Sequence, residues 1–197
     1  MTEPARYART LVEAHVHIGL TAAEAEAEAE GDEALGETID QTTLTEGTDA
    51  WTLRYEGAGG PPIEVLVRYA DEAEARRYDL RFGTGVSELV DAGQWVQVAA
   101  IYARRARRES LFFAENPTGE ERYRSIVDGW GLARDATIEA IKFLTDDAEE
   151  LGDDAFWTAM GTSARRESPE RFTRERLEDD ITFCERSLEA FQRLHAG

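Results

Sequence analysis

Between Asp49 and Gly83 the chain alternates apolar and polar residues with a period of two, and this pattern restricts its fold more than any other. "DAWTLRYEG" sets Trp51, Leu53 and Tyr55 against Thr52 and Arg54; "PIEVLVRYA" sets Ile63, Val65, Val67 and Tyr69 against Glu64, Leu66 and Arg68; "RRYDLRFG" sets Tyr78, Leu80 and Phe82 against Asp79 and Arg81. Successive side chains of a strand point to opposite faces, so each run reads as a strand with one apolar face. The Thr-rich "GETIDQTTLT" before them reads as a further strand. "EGTD", "GAGGPP" and the charged "DEAEA" separate the runs as turn signals. The expectation is a four-stranded antiparallel meander whose apolar face is covered by helices.

After Gly85 the period becomes helical. Ser87 is a candidate cap for a helix through Arg108, with Leu89, Ala92, Val96, Ala99, Ala103 and Ala106 on one face, although residues 94–102 also fit a strand. From Glu120 to Leu151 apolar residues recur at helical spacing, with "DGWG" as a candidate interruption. "DDAFWTAM" reads as a short helix capped by Asp153, and "SPE" starts a last helix with Ser168 as cap and Pro169 in its first turn. Leu177, Ile181, Cys184, Leu188 and Phe191 form a heptad-like seam on that helix. The last two long helices should pair antiparallel. The fold class is therefore α+β: an N-terminal helix or helices, the meander, then a mainly helical C-terminal half. Residues 1–114 form the sheet-containing part and 115–197 a helical part packed on it, in one continuous domain.

The N-terminal stretch "TLVEAHVHIG" holds two of the three histidines. On a strand Glu13, His15 and His17 would share one face, which is metal-ligand-like for zinc or a similar ion. On a helix His15 and His17 lie about 200° apart and cannot share an ion. Thr2 and Pro4 favour a helix reaching Gly19, with Tyr7, Leu11, Ala14 and Ile18 as its buried stripe. A second, solvated helix follows from Thr21 and Glu24, a capping-box pair, to Gly31. Glu13, His15 and His17 are the candidate metal ligands; otherwise no cofactor is implied.

Acidity decides much of the rest. Asp and Glu number 41 against 22 Lys and Arg, a formal net charge of −19, and Lys142 is the only lysine. At molar salt the Debye length is about 3 Å, which screens such a surface; in dilute buffer its self-repulsion opposes the compact state. The composition resembles that of proteins from salt-accumulating archaea. The single cysteine, Cys184, and an N-terminus without a signal-peptide pattern point to the cytoplasm. No apolar run is long enough to span a membrane.

One basic cluster stands out against this background. "YARRARRES" carries Arg104, Arg105, Arg107 and Arg108, with Trp95 and Tyr102 nearby, and these six are the candidate binding residues. Stacking rings and guanidinium groups suit a nucleic-acid backbone, but net charge and salt oppose that ligand, whereas carboxylates on the same chain or on an acidic partner suit arginine. "RFGTGV" has glycines where a phosphate could sit on a helix N-terminus, without a P-loop or GxGxxG pattern. No catalytic motif is present, and Cys184 on the apolar seam reads as a core residue.

The sequence thus favours a non-catalytic binding or assembly protein of a salt-adapted cytoplasm, chaperone-like or an adaptor. Its partner is a protein or a second copy docked on the C-terminal seam, giving a homodimer. The element order of the first half resembles small secretion-chaperone-like folds, which implies binding of unfolded partner segments. The alternatives are a metal-dependent enzyme using Glu13, His15 and His17, and a nucleic-acid-associated regulator using Arg104 to Arg108.

Overall fold

The structure, a computed structural model, describes residues 5–25, 41–57, 61–115 and 119–195. The chain is α+β, as its sequence patterns imply, and divides into two compact units, residues 1–90 and 91–197. Among the described residues no helix is long and apolar enough to cross a membrane.

The first unit is a four-stranded sheet with helices. Strand β1 (Tyr7–Ala8) leads into α1 (Leu11–Ala25); β2 (Thr42–Glu46), β3 (Ala50–Tyr55) and β4 (Ile63–Arg68) follow, and α2 (Tyr69–Arg77) leaves β4 directly. The sheet order is β1-β4-β3-β2. The β2–β3 and β3–β4 pairs are antiparallel, with Leu53 opposite Leu44 and Val65, whereas β1 runs parallel to β4, Tyr7 opposite Leu66. Alternation sends Leu53, Tyr55, Val65 and Val67 to one face, where Ala14, Ile18 and Ala22 of α1 cover them. Those three recur every four residues, the spacing of one helix face. On the opposite face Arg54 bonds Glu64 at 2.8 Å, a cross-strand pair open to solvent.

The expected meander holds for three strands and fails at the fourth. "RRYDLRFG" forms no strand: Arg76 and Arg77 end α2, and residues 78–83 are irregular. "DEAEA", read as a turn signal, is helix. Alanine and glutamate favour helix, Asp71 and Glu72 sit in its first turn and Arg76 and Arg77 in its last, which suits the helix dipole, and Glu72 pairs with Arg76 at 2.9 Å. The edge of β4 that a fourth strand would use is held by β1 instead.

The N-terminal helix also differs from expectation. It starts at Leu11, and Tyr7 lies in a strand, not in a buried helical stripe. Thr10 caps it, its Oγ1 accepting from the Glu13 amide at 3.1 Å, and the Glu72 carboxylate accepts from the Leu11 amide at 2.8 Å. Gly19 does not end the helix, and Thr21 is an interior residue whose hydroxyl donates to the His17 carbonyl at 2.9 Å. The second helix expected to reach Gly31 falls partly outside the described residues, as does the start of "GETIDQTTLT".

The second unit is helical: α3 (Ala92–Glu115), α4 (Glu120–Ile141), α5 (Ala159–Glu167) and α6 (Arg174–His195), with short 3₁₀ turns at Asp153–Ala155 and Pro169–Phe172. Residues 94–102 are helix. Ala106 lies beside Gly129 and Phe113 beside Tyr123, so α3 and α4 are antiparallel. Trp130 meets Phe183 and Tyr123 meets Phe191, so α6 runs antiparallel to α4. The seam of α6 is largely used within the chain: Leu177, Cys184 and Phe191 are buried, and Leu188 packs beside them.

Three boundaries move. Helix α4 runs through "DGWG" without a break but stops at Ile141, ten residues short of Leu151. The turn after it is held by Arg174, whose guanidinium donates to the carbonyls of Thr145, Asp146 and Ala148. Asp153 opens only a 3₁₀ turn, and Thr158 caps α5 by accepting from the Gly161 amide at 2.9 Å. Ser168 and Pro169 begin the second 3₁₀ turn, and α6 starts at Arg174.

Asp91 fixes where these elements begin. It is fully buried. One carboxylate oxygen accepts from the Gln94 amide at 2.8 Å while the Gln94 side chain accepts from the Asp91 amide at 3.2 Å, a reciprocal cap on α3. The other oxygen accepts from the amides of Trp157 and Thr158 and from the Thr158 hydroxyl, at 3.1, 2.8 and 2.7 Å. Ser87, expected as the cap of α3, closes the turn before it by accepting from the Leu89 and Val90 amides.

Two glycines let the helix starts meet. A Cβ on Gly161 would lie 2.2 Å from both Asp91 carboxylate oxygens, and one on Gly93 would lie 2.5 Å from the Gly161 Cα. Gly161→Ala should therefore lower stability by about 2 kcal/mol or more, since it overpacks and breaks hydrogen bonds together. Gly129→Ala, whose Cβ meets only the Ala106 methyl at 3.2 Å, should stay within about 1 kcal/mol of wild type because helix propensity offsets the contact. Urea unfolding of the two variants checks the contrast, and equal losses would contradict it.

Candidate functional site

Helix α3 carries the arginine cluster to the surface of the helical unit. Arg104, Arg107, Arg108 and Leu111 follow the i, i+3, i+4, i+7 rule and form one ridge, all exposed, Leu111 to 64 %. Arg105 turns away, to the groove between α3 and α4, where Glu109, Glu121 and Arg124 also stand. Arg104, Arg105 and Arg107 form no ion pair with a described residue. Many other arginines of the chain do: Arg9 with Glu13, Arg54 with Glu56 and Glu64, Arg76 with Glu72, Arg134 with Asp135, Arg165 with Glu150 and Arg176 with Asp180. Arg108 approaches Glu109 at 3.9 Å. Arg122 bonds Glu109 at 3.4 Å and lies over the Phe112 ring at 4.4 Å, covering one of the apolar side chains near the end of α3.

The two aromatic residues assigned to this cluster are not part of the ridge. Trp95 is fully buried, because it falls on the inward face of α3 with Ala99 and Ala106. Tyr102 is half-buried and packs on the α3–α4–α6 core. Neither Trp95 nor Tyr102 therefore offers the ridge a free ring; the exposed ring beside it is Phe112, four residues after Arg108, with Arg122 stacked on it.

A concave site missed by the sequence reading lies beside it. Helices α3, α4 and α6 enclose a groove of about 430 Å³. Val96, Ala99, Leu177 and Cys184 make a buried apolar floor, and Arg104, Arg171, Arg176, Asp179 and Asp180 stand at its rim. Burial, reinforced by Asp180, pushes the Cys184 thiol up to about 11, so it is a neutral wall group and not a nucleophile.

The geometry does not bring the candidate metal ligands together. Residues 12–18 are helical, which turns His15 and His17 to different sides of α1. The buried Glu13 carboxylate is held by Arg9, whose Nη2 lies 2.6 Å from Oε1 and whose backbone amide donates to Oε2 at 2.7 Å. Among the described residues no three His, Cys, Asp or Glu side chains converge as a metal site. "RFGTGV" does not lead onto a helix: Gly83 (φ 102°) presses on Arg9, and the Thr84 and Gly85 carbonyls accept from the Arg9 guanidinium. The loop thus presents acceptors, which suits a cation and not a phosphate.

His17 is 8 % exposed and neither ring nitrogen makes a well-formed hydrogen bond. Burial, reinforced by nearby Arg6, lowers its pKa to about 4, against smaller opposing effects of Glu13 and the Leu89 backbone; burial lowers His15 as well. The fold thus accepts the neutral ring and excludes the charged one. This stabilisation is complete above the unfolded value near 6.5 and is lost as pH falls from there towards 4. Over that window the His17 contribution amounts to roughly 3 kcal/mol. His17→Leu should flatten this part of the stability–pH curve, read by urea unfolding; parallel curves for variant and wild type would contradict it.

No protein-family model, curated protein or solved structure matches the chain.

Proposed function

We propose that this chain is a non-catalytic binding protein of a salt-adapted cytoplasm, and that the ridge Arg104, Arg107, Arg108 and Leu111 on α3 docks an acidic protein partner. The observation that carries the reading is that exposed Arg104 and Arg107 make no ion pair with a described residue on a chain of formal net charge −19. With carboxylates in such excess, a surface arginine readily finds one; Arg104 and Arg107, without a partner among the described residues, keep their donors for another molecule. Leu111 at the C-terminal end of the ridge adds apolar area that salt does not screen. The formal net charge of −19 opposes a polyanion, which favours a protein over a nucleic acid. Leu194, exposed in the last turn of α6, favours a second copy of the chain as an additional contact.

Charge reversal tests the ridge. In molar KCl, wild type should retain a stoichiometric acidic partner from its own cell extract, and Arg104→Glu with Arg107→Glu should lose it. Retention of the same partner by the reversed variant would reject the ridge. Sedimentation in the same salt should show dimer at high concentration, and monomer throughout would remove self-association. Salt adaptation has its own readout: the thermal midpoint should climb steeply from dilute buffer to molar KCl, because screening relieves surface repulsion. A midpoint independent of salt would contradict it.

A further inference from the structure

We propose that the groove between α3, α4 and α6 binds a small apolar carboxylate, an acyl chain lying on the floor with its head group between Arg104 and Arg171. This goes beyond the protein-docking reading and shares only Arg104 with it. The volume of about 430 Å³ falls within the range of about 300–1,000 Å³ that small-molecule sites occupy. The space exists because Ala99, Ala100 and Ala103 form the α3 wall, where larger side chains would close it. The floor offers an acyl chain no charged or strong competing donor: the Cys184 thiol is neutral and only a weak donor, and the Thr137 hydroxyl is committed to the Ala133 carbonyl at 3.0 Å.

Charge sets the class of ligand. Arg104 and Arg171 at the rim make no ion pair with a described residue, while Arg176 is matched by Asp180 at 3.0 Å. The rim residues left over are two guanidinium groups and one exposed carboxylate, Asp179. An anionic head gains two charge-assisted donors and meets one repulsion; a cationic head meets the reverse.

Titration calorimetry of the full chain with decanoate, decyltrimethylammonium and decanol tests this, in salt that keeps the protein folded. One decanoate should bind per chain, more tightly than decanol, with no binding of the ammonium. Arg104→Ala with Arg171→Ala should weaken decanoate about tenfold or more, as loss of charged hydrogen bonds implies. Asp179→Asn should tighten it, and Ala100→Phe should block it by filling the groove. Arg107→Glu, which addresses the ridge alone, should leave decanoate binding within about twofold, so the two readings fail separately. Absence of decanoate binding, equal binding of the ammonium, or decanoate affinity unchanged in the double arginine variant would overturn the proposal. An acidic helix as the true occupant would appear as the first of these outcomes.

Discussion

A buried carboxylate, Asp91, with no counter-ion among the described residues organises the helical unit. Taking Asp91 out of water carries a large desolvation penalty, which is tolerable only if hydrogen bonds replace the lost hydration. Four donors do so, from Gln94, Trp157 and the Thr158 backbone and side chain. Two of those residues lie more than sixty positions along the chain, so local structure at α3 and the path into α5 are fixed by one side chain. The dipoles of both helix starts add favourable potential at the same point. Only glycine at positions 93 and 161 permits the approach. The second 3₁₀ turn and α6 follow from α5, and they bring Arg171 and Leu177 to the groove. The candidate binding site is thus downstream of the Asp91 contact.

The first unit solves a similar problem differently. Glu13 is buried too, but its partner is a guanidinium, and Arg9 in turn is held by loop carbonyls. Removing either member would leave a buried charge alone, which is the costly case for internal ion pairs. His17 nearby receives no such compensation and is accommodated as a neutral ring. On the open sheet face, by contrast, the Arg54–Glu64 pair is exposed and contributes little. Buried charge on this chain therefore acts structurally, satisfied by a guanidinium at Glu13 and by hydrogen-bond donors at Asp91.

Much of the fold was legible in the sequence. Alternation at Trp51–Tyr55 and Ile63–Val67 gave two central strands and their inward face, and the seam from Leu177 to Phe191 gave α6 and its buried side. Failures have physical reasons. A two-residue strand such as β1 carries no period to detect. "RRYDLRFG" alternates as well as any strand, yet the helix-forming run before it and an occupied sheet edge decide otherwise. The caps Thr10 with Glu13 and Asp91 with Gln94 are S/T/D-x-x-E/Q patterns present in the sequence, and reading them would have placed the starts of α1 and α3 correctly. The arginine cluster is conspicuous in an acidic chain, but which of its members share a face with Leu111, and that Trp95 turns inward, depend on the helical phase of α3. The groove was not legible, since three helices from distant segments create it and its walls are ordinary alanines.

The account rests on the Asp91 contact spanning both helix starts in the native state. Native-state hydrogen exchange of the Gln94, Trp157 and Thr158 amides addresses it directly. If the carboxylate joins these segments, the three amides exchange together and only through global unfolding. If Trp157 and Thr158 exchange as fast as unprotected loop amides while Gln94 stays protected, the contact does not hold the unit together and the account is wrong.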